Sequence, residues 1–127
     1  MSRLLFAVLF SVGTFSAIGV AGAREVVIET KKIDNATHWV PEKIEVKPGE
    51  TIHLVVKHDM EGGFDFHGFH VPMLKVTQKV DRHKAFTTDV TIPKTVKPGE
   101  YKIECHFHNT HKPAVFVVKA ADAPAVK

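Results

Sequence analysis

Between residues 25 and 119, apolar and polar positions alternate in short runs: EVVIET, KIEVK, TIHLVVK, FDFHGFHV, KVTQKV, AFTTDVTI, YKIEC and AVFVVK. A period of two sends successive side chains to opposite faces of an extended chain, so each run predicts a strand. Their richness in Val, Ile, Thr and Phe agrees with that reading. Pro-Gly and Gly-Gly pairs separate them. The stretch VKPGE occurs twice, at Val46 to Glu50 and at Val96 to Glu100, each time leading into an alternating segment, as a turn would. One shared pentapeptide is too little to make an internal repeat. No window combines a helical period with caps; the nearest, Thr110 to Ala114, contains Pro113, which opposes a helix. Seven to eight short strands predict an all-β fold, a two-sheet sandwich of Greek-key type whose strand order stays open.

The alternating region is preceded by a segment of another kind. Residues 1–23 place Arg3 before an apolar run from Leu4 to about Val20, then the small residues Ala21, Gly22 and Ala23. That order is expected of a cleaved secretory signal peptide. A membrane anchor is the competing reading, but Ser, Gly and Thr interrupt the run, and its length is near the ~18-residue minimum for a span. The expected domain therefore covers residues 24–127, roughly a hundred residues and enough for one core. Its end, AADAPAVK, reads as a frayed tail.

Charge narrows the partners. The chain has 17 Lys+Arg and 14 Asp+Glu, a net charge of +3. Loss of Arg3 with the signal leaves 16 against 14, or +2. So weak a balance, without a basic-aromatic stripe, gives no reason to expect nucleic acid as a partner, and no stretch after the signal could span a bilayer, so stable membrane insertion is not expected.

All nine histidines fall after the signal, and the chain has one cysteine, Cys105. Export exposes a lone thiol to oxidation unless it is buried or its sulfur is otherwise occupied. The alternation in GEYKIEC turns Tyr101, Ile103 and Cys105 to one face. The connection ECHFHNTHKP then carries His106, His108 and His111 directly behind the thiol. A loop closing over an inward cysteine can bring one or two of these imidazoles to its sulfur. Thiolate and imidazole suit copper or zinc, whereas calcium and magnesium prefer oxygen. A third ligand from a distant strand would complete such a site. FDFHGFHV offers His67 and His70, on opposite faces. Taken singly, His38, His53, His58 and His83 read as surface or structural residues.

These features together resemble a cupredoxin, the small copper-binding β-sandwich of electron-transfer chains. HGFHVPMLKV is similar to the HSFxVPxLGxK stretch in the copper domain of cytochrome oxidase subunit II, and GEYKIEC followed by histidines matches in order and separation. The resemblance implies a cupredoxin-like sandwich binding one copper ion, Cu(I)/Cu(II). His67 becomes the strand ligand, because it heads H-x-F-x-V-P, and Cys105 the thiolate ligand. The second imidazole stays open: Cys-x-x-His spacing selects His108, and alignment on the oxidase domain's last strand selects His111. Asn109 stands where a dinuclear site would need a second cysteine. Residues 112–116, KPAVF, lack the usual axial methionine. Whichever of His108 and His111 is not equatorial could fill that place, with Met60, Met73 and Glu61 as weaker candidates and Met73 more naturally a core residue. A nitrogen there implies a green or red cupric centre rather than an intensely blue one.

Three function classes follow. The first is a periplasmic, monomeric one-electron carrier, not an enzyme, with a cytochrome or oxidase as redox partner and Asn109 and Thr110 holding the loop imidazoles. The second is a copper-handling or copper-tolerance protein, with His38, His53, His58, His70 and His106 as accessory donors and copper-handling proteins as partners. The third is an enzyme, either a copper-dependent oxidase or a thiol hydrolase. The hydrolase needs an accessible sulfur and an oxyanion hole that an inward strand cysteine does not supply.

Overall fold

The computed structural model describes residues 23–121; all of the expected signal segment except Ala23, and most of the tail, lie outside them. Nine strands follow in chain order: β1 (Arg24–Ile33), β2 (Ala36–Val40), β3 (Lys43–Val46), β4 (Thr51–Lys57), β5 (Phe66–Val71), β6 (Val76–Asp81), β7 (Phe86–Thr91), β8 (Gly99–Ile103) and β9 (Ala114–Val118). The one helical element among the described residues is a 3-10 turn at Pro72–Leu74. Eight strands coincide with the alternating runs. The ninth, β2, returns along β1 through Asp34 and Asn35, both at positive φ (48° and 64°). That two-residue hairpin needs the left-handed region at both central positions, where Asp and Asn are tolerated.

One sheet has the order β2-β1-β4-β7 and the other β3-β9-β8, with β5-β6 as a separate hairpin. β1 runs parallel to β4 and β3 parallel to β9, which requires crossing between layers. A single antiparallel bridge, His70 with Glu104, fastens the hairpin beside β8. Its two backbone bonds measure 2.8 and 2.9 Å. The result is a two-layer β-sandwich of cupredoxin type.

Both layers contribute to one core. Val26 and Ile28 of β1 and Ile52, Leu54 and Val56 of β4 share it with Phe69 of β5, Ile103 of β8 and Phe116 of β9. Each such side chain contributes roughly 1.5–3 kcal/mol by leaving water. Trp39 of β2, fully buried, sits edge-on to Phe69 at 5.6 Å and closes one end of this core. That end carries the histidines.

The two VKPGE copies fold differently. Glu50 N–H donates to Lys47 O at 3.1 Å across Pro48 and Gly49, the latter at φ 80°, a turn of the kind expected. In the second copy Gly99 already pairs with Val118 as β8, and the Tyr101 hydroxyl donates to Lys97 O at 2.7 Å. Neighbouring strands decide what the same five residues do.

Candidate metal centre

Strand alternation sets the first donor. In β5, His67, Phe69 and Val71 are buried and point inward, while His70 is half-buried on the other face. His67 thus enters the core end with 3% exposure. The second donor comes from the neighbouring strand: Ile103 is buried at the end of β8, Glu104 makes the bridge to His70, and Cys105 follows on the inward side. Its sulfur accepts the backbone N–H of Gly68 at 3.2 Å. Gly68 has no alternative here. A Cβ at this position would collide with Nδ1 of His106 and lie 2.9 Å from the His106 backbone nitrogen.

The third donor comes from the loop. His111 N–H donates to His108 O at 3.3 Å, and Lys112 N–H to Thr37 O at 2.7 Å. This tight turn carries the chain back to β2 and leaves His108 beside the sulfur. Cys105 Sγ lies 3.6 Å from His108 Nδ1 and 4.0 Å from His67 Nδ1, and the two nitrogens are 3.3 Å apart. An ion about 2.0–2.1 Å from nitrogen and about 2.3 Å from sulfur can be shared only if N–N is under ~4.1 Å and N–S under ~4.4 Å. All three separations satisfy this. One thiolate and two imidazoles suit copper or zinc. His67, Cys105 and His108 are the group of potential ligand atoms that converges among the described residues.

Packing orients these groups. The Phe64 ring lies parallel to that of His108, centroids 3.7 Å apart and planes 13° from parallel. The strand expected to include Phe64 begins only at Phe66, because the Phe64 carbonyl is drawn off the sheet line. It accepts from His58 Nε2 at 2.9 Å and from Arg82 Nη2 at 3.1 Å. His58 is itself buried, 1% exposed, and its ring stands 4.5 Å from that of His67. Nε2 donates to that carbonyl, and Nδ1 is hydrogen-bonded with the Thr30 hydroxyl, 2.8 Å away. Both nitrogens are engaged, so His58 is a structural support and has no lone pair to offer an ion. A sequence signal for its burial exists: Ile52, Leu54, Val56 and His58 continue one alternating face.

The fourth sequence candidate, His111, stands outside the three-donor group. Its ring is 4.8 Å from those of His67 and Trp39. Nδ1 donates to Lys112 O at 3.1 Å, and Nε2 is buried without a partner. Leaving such an atom unsatisfied costs about 1–3 kcal/mol. Burial holds both inner imidazoles neutral. The His67 pKa falls from 6.5 to about 3, first by desolvation and then by the nearby His111, His58 and His108. That of His111 falls to about 4, again chiefly by desolvation, partly offset by its bond to the Lys112 carbonyl. Neutral rings keep the lone pairs that metals need.

The remaining candidates lie elsewhere. Met73 packs against the core, and Glu61 is bonded to His83 Nε2 at 2.7 Å. Asn109 and Thr110 are exposed and make no hydrogen bond to the imidazoles; the bonds that orient the site come from Gly68, Thr30 and the Phe64 carbonyl. That carbonyl gives no sequence signal.

A model of the cupredoxin-like domain matches residues 3–118. No curated protein matches. Among solved structures, the chain is similar to the copper nitrite reductase from Nitrosomonas europaea at 13% identity and a TM-score of 0.65, covering 83% of this chain and 44% of that one. It is similar to the metal-binding domain of the Cu(I)-exporting P-type ATPase CopA of Streptococcus pneumoniae D39, solved with Cu(I), at 10% identity and a TM-score of 0.60, covering 78% and 88%. A heme-copper terminal oxidase is similar at 13% identity and a TM-score of 0.57, covering 77% and 66%. The chain thus spans less than half of the reductase chain and just under two thirds of the oxidase chain. At these identities the likeness is one of fold. The family match, by contrast, runs through β1 to β9 and includes every converging donor: the chain belongs to the cupredoxin-like domain family.

Proposed function

We propose that the chain is an exported, periplasmic carrier of single electrons that holds one copper ion between His67, Cys105 and His108. What supports this most directly is the convergence of one sulfur and two ring nitrogens within 3.3–4.0 Å of one another at one end of a rigid sandwich. Similar folds, a copper nitrite reductase and a metal-binding domain solved with Cu(I), favour copper over zinc. Bound there, copper supplies a one-electron couple between Cu(I) and Cu(II).

The chain's own residues do the rest. Buried His67 sits on paired β5 backbone, and the Gly68 N–H holds the sulfur of Cys105, which follows directly on the Glu104 bridge; this limits movement when charge changes. The Gly68 N–H draws electron density from the sulfur and so favours the reduced ion, since hydrogen bonding at cysteine tunes the potential of such centres. His108, half-buried, is carried by the loop between Phe64 and Phe107 and is the proposed electron port. Around it Phe64 and Phe107 are 54% and 45% exposed, an apolar rim for a redox partner such as a cytochrome or oxidase. His111 Nε2, buried and unpartnered, is the proposed fourth donor. A nitrogen there favours the cupric state, so the oxidised protein is expected to be green or red.

The test compares absorption and EPR spectra of the copper(II) protein with those of His67→Ala, Cys105→Ala, His108→Ala and His111→Ala, together with its electron self-exchange rate. Each of the first three substitutions is expected to abolish or transform the thiolate charge-transfer band, and His111→Ala to move the colour toward blue. A band sensitive only to Cys105→Ala would sink the three-donor site. Slow self-exchange with several bound copper ions would replace electron transfer by copper handling.

A further inference from the structure

The outer face of the β5–β8 seam carries a second pair of imidazoles, His70 and His106, outside the centre just described. Their ring centroids are 5.8 Å apart. They face each other because of the residue between them: Gly68 has no side chain, and the His106 ring lies over it. Glu104 stands opposite His70 in the bridge, on the same outer face of the seam. No ion pair or hydrogen bond engages its carboxylate among the described residues. His70 Nδ1 is held by the Thr77 hydroxyl at 2.8 Å. When the ring donates through Nδ1, its other nitrogen keeps a lone pair, the arrangement usual for a ligating histidine.

We infer that His70 and His106 form a second, solvent-open two-imidazole site for a divalent copper or zinc ion. An ion about 2.0–2.1 Å from one nitrogen of each ring sets the ring centres no more than roughly 6 Å apart, and the observed separation satisfies that. Two imidazoles, completed by water, are a harder donor set than the thiolate centre. The seam site therefore prefers Cu(II) or Zn(II) to Cu(I), with water in its open positions. Cys105 and His106 are adjacent and point to opposite faces, so one peptide separates the sites. This site depends on no assumption about electron transfer.

The test uses protein already saturated with one copper ion. Calorimetric titration with Zn²⁺, and EPR-monitored titration with Cu²⁺, are expected to show one further equivalent in the wild type. That equivalent is expected to be lost in His70→Ala and in the His70→Ala/His106→Ala double variant, with the thiolate band of the first copper intact in His70→Ala. Thr77→Val keeps both rings and removes only the hydroxyl; it is expected to weaken the second ion about tenfold, as loss of an outer-shell partner does. The site is overturned if the wild type takes no further equivalent, or if the double variant keeps it at unchanged affinity. Should His70→Ala also disturb the first site, unchanged second-ion affinity in Thr77→Val overturns it.

Discussion

Glycine to alanine inside a strand normally stabilises a protein by about 0.5–1 kcal/mol, because alanine loses less freedom on folding. At Gly68 the sign is expected to reverse. The added Cβ would meet the His106 ring, with Cε1 at 2.6 Å, and the His106 backbone nitrogen at 2.9 Å, whereas ordinary contacts begin at 3.4 Å. The ring can swing aside. The backbone can give way only if the seam between β5 and the Cys105 strand end opens by about 0.5 Å, the difference between 3.4 and 2.9 Å. Such overpacking costs typically 1–3 kcal/mol. Gly68→Ala should therefore destabilise the metal-free protein by about 2 kcal/mol in urea unfolding. In a His106→Ala background the ring clash is absent and only the backbone contact remains, so the cost should fall to about 1 kcal/mol. Coupling of that size is normal between touching residues. Opening the seam also lengthens the Gly68 N–H to Cys105 bond from 3.2 Å, so a shifted thiolate band in the copper form should accompany it. Stabilisation by Gly68→Ala, or costs additive within about 0.3 kcal/mol, would refute the reasoning.

Acid should weaken the metal-free fold through its buried imidazoles. Their folded pKa values lie below 6.5, at about 3 for His67 and about 4 for His111, so below pH 6.5 the unfolded chain binds protons that the folded chain refuses. Stability is then full above pH 6.5 and falls as the pH drops toward 4 and 3, by on the order of a few kcal/mol. Urea midpoints that stay flat between pH 7 and pH 4.5 would contradict this. Thr30→Val removes the hydroxyl that serves the buried His58 Nδ1 while keeping the shape. The loss should be about 1–3 kcal/mol, and a neutral result would mean that this bond contributes nothing. Phe64→Ala uncovers one face of His108; it should cost only about 1 kcal/mol of stability yet speed copper release to a chelator, and an unchanged release rate would remove Phe64 from the site's protection.

Alternation made most of the fold legible, because a period of two is a local property that survives in the folded chain. β2 escaped it: of ATHWV only Trp39 is buried, and the outer half of β1 is exposed on both faces, so neither shows a clean pattern. The parallel pairing of β1 with β4 and of β3 with β9 was not legible, since it joins residues far apart in sequence. At the candidate centre, the inward direction of His67 and Cys105 follows from strand phase. The choice between His108 and His111 does not, because it depends on where the loop returns to β2 and on Trp39 taking up the His111 ring. Phe64 and Arg82 act through a backbone carbonyl, which no side-chain pattern can announce.

The β5–β6 hairpin is fastened beside β8 by one backbone bridge among the described residues, and His67 and Cys105 are 38 positions apart. An ion gripping both is a staple: it closes a chain loop that would otherwise remain open in the unfolded protein. By the chain-entropy relation used for disulfides, a cross-link over 38 positions is worth about 4 kcal/mol. Without an ion the hairpin would be joined to β8 only by its two bridge bonds and its core contacts through Phe69, Val71 and Val80, a looser molecule, and the point at which it accepts metal would also be the point at which it is sewn shut.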